Sequence, residues 1–418
     1  MSVKTLMLGW EFPPFISGGL GTACYGLTRA MSRHGMEVTF IVPRQKPMHF
    51  AGGQLQAGES LSQELPNVRI RAVPSSLSAY GRYGPRPARQ VTAATEAELS
   101  DEYGTGPAPY GPSLEQEVFR YARRVMKIAE QEEFDVIHAH DWMTFPAGIA
   151  VATHSGRPLI VQVHSTEFDR SGEHVNQFVY DVERQGMHAA TRVITVSNYT
   201  RNIVINRYAV PPDKVEVVYN GVDQVDSPQP LPRPAWPTRS DKVVLFVGRI
   251  TMQKGPEYFL NAAKRVLEKL QNVKFILAGD GDRLHGIIEL AAWLGIGHRV
   301  FFTRFLRGVD VQRVYRMADL YVMPSVSEPF GIAPLEALQN DVPVIISKQS
   351  GLAETLRNAL KVDFWDVNEM ANKIVAVLRH PPLGDMLRVN GRQEALRFRW
   401  EDSAARVHDI YRRVLNVA

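Results

Sequence analysis

Short apolar, β-branched runs alternate with helix-length segments along almost the whole chain, and the alternation stops once and restarts. Runs at 3–9, 36–42, 134–138, 159–164, 192–196 and 215–219 read as strands, with helices over 21–33, 114–130, 175–190 and 199–208 between them. Strands this continuously apolar are buried on both faces, the condition of a parallel sheet covered by helices. Between Asp223 and Asp241 stand Pro228, Pro230, Pro232, Pro234 and Pro237, which read as a stiff, extended linker. The rhythm resumes with strands at 242–248, 273–278, 300–303, 320–323 and 342–347. A helix predicted over 256–270 carries Phe259, Leu260, Ala263, Val266, Leu267 and Leu270 on one face, the stripe that packs on a sheet. The fold class is therefore α/β. Two parallel-sheet domains, 1–223 and 242–399, flank a linker over 224–241, and a last helix occupies 400–418, with Val407, Ile410, Tyr411, Val414 and Leu415 as its apolar positions.

One segment escapes the pattern. Residues 44–112 are rich in Gly, Pro and Ser, with a single strand expected at 68–73, and so long an irregular stretch reads as a lid, a binding loop or disorder. At 418 residues the chain can bury two or three cores. No apolar run is long enough to span a bilayer, and the amino-terminal residues read as a strand rather than a signal peptide. A single cysteine, Cys24, rules out an intramolecular disulfide and suits a reducing compartment, so a cytoplasmic location is expected. The net charge of +4 favours an anionic ligand, while no finger, RNP or basic-helix pattern points to nucleic acid.

Four constellations could carry chemistry. The first is the loop Gly18-Gly19-Leu20-Gly21 after the first strand, whose backbone N–H groups could receive a phosphate at a helix start. It is not a dinucleotide fingerprint, because Cys24 stands where the third glycine belongs. Arg249 and Lys254 follow the first strand of the second domain and could clamp a diphosphate, the one by its planar fork and the other as a point charge. His138, His140 and Asp141, with His164 ending the next strand, invite a zinc reading. A binuclear H-x-H-x-D-H pattern, however, would need its aspartate where Trp142 stands, so no metal is expected there. The last runs from Ser325 through Glu328, Pro329, Phe330, Gly331 and Ile332 to Glu336, a strand–turn–helix with Pro334 in the first turn. Its two carboxylates should lie roughly 7–12 Å apart, too far to share a proton. On residues alone, each constellation also has an ordinary reading: a tight turn, two solvated cations, satisfied strand-end histidines, and a helix start with a favourable acid.

Taken in order, S-x-S-E-P-F-G-x-x-x-x-E, R-x4-K and G-G-L resemble the retaining glycosyltransferases of GT-B fold, the family-4 and glycogen or starch synthase-like group. The resemblance covers nearly all the chain apart from 44–112. It implies two Rossmann-like domains facing a cleft, with the terminal helix crossing back to the first. It also implies that Arg249 and Lys254 neutralise a departing nucleoside diphosphate, that Glu328 holds the donor sugar with the Phe330-Gly331-Ile332 backbone beside it, and that Glu336 holds the ribose. Gly18 and Gly19 would face phosphate, and His164 and Asp141 the transferred hexose. Asn220-Gly221-Val222-Asp223 resembles the family's interdomain turn and Gly351-Leu352-Ala353-Glu354 its later G-x-x-E. Arg304 departs from the pattern, standing where glycine is expected beside the base pocket, which leaves the base open. Asp280 and Asp282 match the D-x-D metal motif of the other large glycosyltransferase fold, but in this setting they read as a turn. The expected activity is transfer of a hexose, glucose foremost, from a UDP- or ADP-glucose type donor to a hydroxyl of an α-glucan, with no cofactor or metal. A lipid-linked or cell-surface acceptor, or a non-catalytic sugar-binding module, are the rival readings.

Overall fold

The computed structural model describes residues 3–13, 18–44, 65–75, 114–224 and 241–416. Two sheets account for the strands, and every pairing within them is parallel. The first contains β1 (Lys4–Leu8), β2 (Glu37–Arg44), β3 (Val68–Pro74), β4 (Val136–His140), β5 (Leu159–Val163), β6 (Arg192–Thr195) and β7 (Val215–Val217). The second contains β8 (Lys242–Val247), β9 (Val273–Ala278), β10 (Val300–Arg304), β11 (Leu320–Met323), β12 (Val344–Ser347) and β13 (Leu360–Val362). Strand order is 3-2-1-4-5-6-7 in one and 10-9-8-11-12-13 in the other.

That order decides where a ligand can sit. In each sheet the winding reverses beside the first strand, between β1 and β4 and between β8 and β11. Helices leave such a point to opposite sides and open a crevice at the carboxyl ends of the strands. The chain after β1 leads to Gly18 and helix α1 (Gly19–Arg33), and β4 ends on His140. After β8 comes Arg249, and after β11 the Pro324–Glu328 turn. All four sequence constellations therefore fall at the two reversal points.

The strands are apolar because they are enclosed. β4 and β5 are buried at all five positions each. Helix Pro256–Leu267 buries Phe259, Leu260, Ala263, Val266 and Leu267 against the second sheet, as its stripe requires, and closes before Leu270. Several elements outside the sequence reading complete the domains, among them helix Phe145–Ser155 in the first, and helices Leu284–Trp293, Val309–Met317, Val367–Arg379 and Pro381–Ala395 with strand β13 in the second. The expected strand at 68–73 is β3, at the edge of the first sheet. The proline-rich linker and most of 44–112 lie outside the described residues.

Helix Trp400–Leu415 returns to the first domain and packs along α1, where Trp400, Ala404, Val407, Ile410 and Tyr411 join the core of Cys24, Leu27 and Met31. Trp400 fixes the crossing. A Cβ at Gly26 would lie 2.2 Å from its ring, and one at Gly221 would lie 2.3 Å from its backbone nitrogen. A side chain at Gly26 would displace the indole, and one at Gly221 the backbone that carries it. Val222 N–H donates to Phe398 C=O at 3.0 Å and Ser403 Oγ to Tyr219 C=O at 2.7 Å, tying the helix to the interdomain turn.

Candidate active site

The second-domain half of the site is two loops pressed backbone to backbone. Gly248 N–H donates to Ala278 C=O (3.0 Å) and Ile250 N–H to Asp280 C=O (2.9 Å), so Arg249 is carried on a braced segment. Lys254 is not in an exposed loop, as the sequence suggests. It ends a short 3-10 helix, Met252–Lys254, held to the β11 turn by a Val326 N–H to Gln253 C=O bond of 2.9 Å. Gly255 follows with φ +64°, and a Cβ there would lie 2.2 Å from Pro324 C=O. That contact makes glycine obligatory on both steric and conformational grounds.

This placement joins two residues that the sequence reading assigns to separate tasks. Lys254 Nζ lies 2.6 Å from Glu328 Oε2, with side-chain exposures of 20% and 10%. Ser325 Oγ donates to the same oxygen at 3.1 Å. Backbone bonds pin Glu328 on both sides: its N–H to Gln349 C=O and Gly351 N–H to its own C=O, each 2.9 Å. Gly331 then starts helix Ile332–Gln339 at φ +109°, a conformation that side-chain-bearing residues seldom take. The N–H groups of that first turn have no intrahelical acceptors. The Phe330 side chain is buried between Tyr219 and Phe398, with ring centroids 6.0 and 5.9 Å away, so only its backbone can meet a ligand. Ile332 packs against the apolar cores of both domains. Glu336, a turn further in, accepts from Tyr315 O–H at 2.7 Å. Burial raises its pKa and the Tyr315 bond works against that rise.

The first-domain half faces it. A Cβ on Gly18 would come within 3.9 Å of Cδ and Nε of Arg249, so the start of α1 and the guanidinium approach across the cleft. A Cβ on Gly19 would meet no atom of the described residues within 4 Å, which leaves room among them at the helix start. A helix amino end and an arginine converging on open space are suited to an anion. Residues Ile16 and Ser17 of this loop lie outside the described residues.

Asp141 is tied to the backbone of the His164 loop. It is buried, sits at φ +60°, and its Oδ1 accepts from the backbone N–H groups of His164 (2.7 Å) and Ser165 (3.4 Å). Its pKa rises to about 7, burial being the main cause and the Arg170 guanidinium opposing it. The carboxylate thus anchors the His164 loop, and at least one of its oxygens is committed to backbone. His164 Nε2 lies 2.9 Å from His140 Nδ1, and burial lowers the His164 pKa to about 3, so both rings are neutral at pH 7. The same loop continues to Asp169, whose carboxylate accepts from Ser327 O–H of the second domain in a very short bond. Ser327 also meets Tyr199 O–H at 2.9 Å, and Pro329 C=O accepts from Ser197 O–H (2.5 Å) and Thr200 O–H (3.3 Å). First-domain side chains therefore grip the residues on each side of Glu328. The sequence offers no sign of these partners, because the contacts run between domains at separations of about 130–160 residues.

Arg304, the odd residue of the sequence comparison, ends β10 at φ +58°, which is the conformation a glycine adopts freely. Its guanidinium lies 3.5 Å from Asp280 Oδ2, and Asp280 Oδ1 accepts from Gly281 N–H. Asp280 is thereby engaged in the turn.

Glycosyltransferase Family 4 matches residues 17–225, and Glycosyl transferases group 1 matches residues 233–394. An uncharacterized glycosyltransferase of Methanocaldococcus jannaschii is 30% identical over 370 residues, 85% of this chain and 83% of that protein. The chain belongs to glycosyltransferase family 4. The glycogen synthase of Mycobacterium tuberculosis is 25% identical over 98% of this chain and 94% of its own length. Among solved structures, Anabaena HepE in complex with UDP and glucose superposes with a TM-score of 0.72 at 20% identity, covering 98% of this chain and 99% of that one. The architecture of this glycosyltransferase is the GT-B fold. Among the described residues, no helix is long and apolar enough to cross a membrane.

Proposed function

We propose that this glycosyltransferase is a retaining hexosyltransferase. It moves glucose from a UDP- or ADP-glucose type donor to a hydroxyl of an α-glucan, in the cytoplasm and without a catalytic metal. The observation that carries this reading is the convergence of Arg249, Lys254 and the start of α1 beside Glu328. The leaving group of such a reaction gains negative charge as the glycosidic bond breaks, and preformed cations and N–H groups act where that charge develops. Arg249 and Lys254 take the diphosphate, with Gly18 and Gly19 N–H groups on its far side. Glu328 and the N–H groups following Phe330 hold the sugar, His164 meets it from the first domain, and Glu336 takes the ribose hydroxyls.

Retention calls for a nucleophile on the protein or for front-face attack. Asp141 does not offer itself as that nucleophile, since its Oδ1 is committed to the backbone N–H groups of His164 and Ser165. Front-face attack, with the leaving phosphate taking the acceptor proton, is the favoured course. The glycogen synthase relative and the glucose-bound structural neighbour support the glucose and glucan assignments. The test is donor hydrolysis across UDP-, ADP- and GDP-sugars, then NMR of the product anomer with an α-glucan acceptor. An α-linked product from an α-linked donor is expected. An inverted anomer would refute retention. Transfer only to a vesicle-borne acceptor would move the acceptor assignment to a lipid, and absence of turnover with every donor would leave a binding module.

A further inference from the structure

Cys24, His140 and His164 come from three separate elements, and one donor atom from each lies within 4.8 Å of the other two. We infer that these three side chains form a site for a borderline or soft d-block cation, zinc foremost, at the sugar-facing end of the first domain. Even at the centre of an equilateral triangle 4.8 Å on a side, an ion would stand about 2.8 Å from each donor, and side-chain rotation of well under 1 Å reaches the ~2.0–2.3 Å of zinc–nitrogen and zinc–sulfur bonds. Cys24 faces in from α1 and is fully buried, as is His140; all three donor groups are buried, and His164, at the end of β5, is the residue of the three with some surface exposed.

Three further observations fit an ion here. His140 Nε2 is buried and finds no partner among the described residues, a state buried polar atoms mostly avoid. One thiol and two imidazoles are a donor set that zinc takes with one position left open. The charge also balances. A thiolate, two imidazoles and a divalent cation carry a net +1, which one ionised carboxylate offsets; burial, with Asp141 and Glu11 adding to it, holds the free Cys24 thiol well above its usual pKa, so the thiolate forms only with an ion in place. On binding, the Cys24 thiol releases its proton to solvent, and the His140–His164 hydrogen bond gives way to two coordination bonds.

Occupancy would have a consequence that rests on the proposed function. His164 would be turned from the donor hexose to the ion, so the metal would inhibit transfer rather than assist it.

The test uses the full chain and added metal. Cobalt(II) should give a thiolate-to-cobalt absorption band that saturates at one equivalent, and zinc should displace it. Cys24→Ala should abolish the band and weaken zinc binding by more than the roughly 10–100-fold that even a ligand's outer partner commands. Its melting temperature without metal should match the unsubstituted chain. Should that variant melt early, Cys24→Ser, with a harder ligand of similar size, takes the same readouts. Zinc should also suppress donor hydrolysis by the unsubstituted chain and spare Cys24→Ala. No thiolate band, or zinc affinity unchanged in both cysteine variants, overturns the site. A chain that binds zinc as described but hydrolyses no donor would leave the site standing and refute the transferase reading instead.

Discussion

Lys254→Met should cost stability as well as activity, and the cost should depend on Glu328. The two side chains meet at 2.6 Å with exposures of 20% and 10%, so most of the water that would otherwise solvate Glu328 is excluded. Removing one partner of a fully buried pair costs about 3–5 kcal/mol, because the other charge is stranded. Here Ser325 Oγ still donates to Glu328 Oε2 and the pair is not sealed from solvent, so the expected loss is about 1–3 kcal/mol. Glu328→Gln should cost less, since an amide can still accept from Ser325. The double variant should lose clearly less than the sum, by a coupling of about 1–2 kcal/mol. Urea unfolding of the four proteins, with midpoints and slopes compared, measures this coupling. Donor hydrolysis measured on the same samples should fall roughly 10²-fold or more in Lys254→Met and should not recover in the double variant, because relieving a stranded charge restores no transition-state contact. Additive stabilities within about 0.5 kcal/mol would refute the pairing. Recovery of turnover in the double variant would refute Lys254 as a leaving-group contact.

Arg304→Gly should raise stability by up to about 1 kcal/mol, since relief of the left-handed backbone at φ +58° exceeds the loss of a largely exposed pair with Asp280; thermal melting checks the sign. His164 is held neutral in the folded chain down to about pH 3, whereas the unfolded chain protonates it below about 6.5, so its contribution to stability is lost as pH falls through that window. His164→Asn should therefore flatten the slope of unfolding free energy between pH 4.5 and 6 by about 1.4 kcal/mol per pH unit, as read from urea curves at four pH values. Glu336→Gln should weaken binding of free UDP or ADP, whereas Glu328→Gln should leave it nearly unchanged while cutting turnover, and calorimetry beside hydrolysis rates separates the two. Donor hydrolysis should persist in excess chelator; loss with recovery on Mn²⁺, tied to Asp280 and Asp282, would contradict the metal-independent course.

The sheets were legible because burial on both faces writes itself into consecutive residues. Val273–Ala278 and Leu320–Met323 are strands with the bounds the apolar runs suggest. Helix Phe145–Ser155 escaped because its small and apolar residues do not confine themselves to one stripe, and β13 because three residues are too few to show a period. The residue types at the candidate site could be read, but their pairings could not. Lys254 and Glu328 are 74 positions apart, and Cys24 read only as a lone cysteine in a missing glycine's place until α1 brought it beside His140. Arg304 is the converse case: an apparent mismatch in residue type conceals a match in backbone conformation.

The seating of Trp400 between Gly26 and Gly221 also sets an order of events at the ribosome. The first domain is synthesised first, yet one side of α1 stays uncovered until the Trp400–Leu415 helix emerges. At about 5–20 residues per second, the roughly two hundred residues from the interdomain turn through that helix take about 10–40 s. For that interval Gly26 and the side of α1 around it lack Trp400 and the apolar side of its helix, while the second domain can complete its own sheet. The half made later should be the first to mature, and a chain cut short before Trp400 should leave its oldest part unfinished.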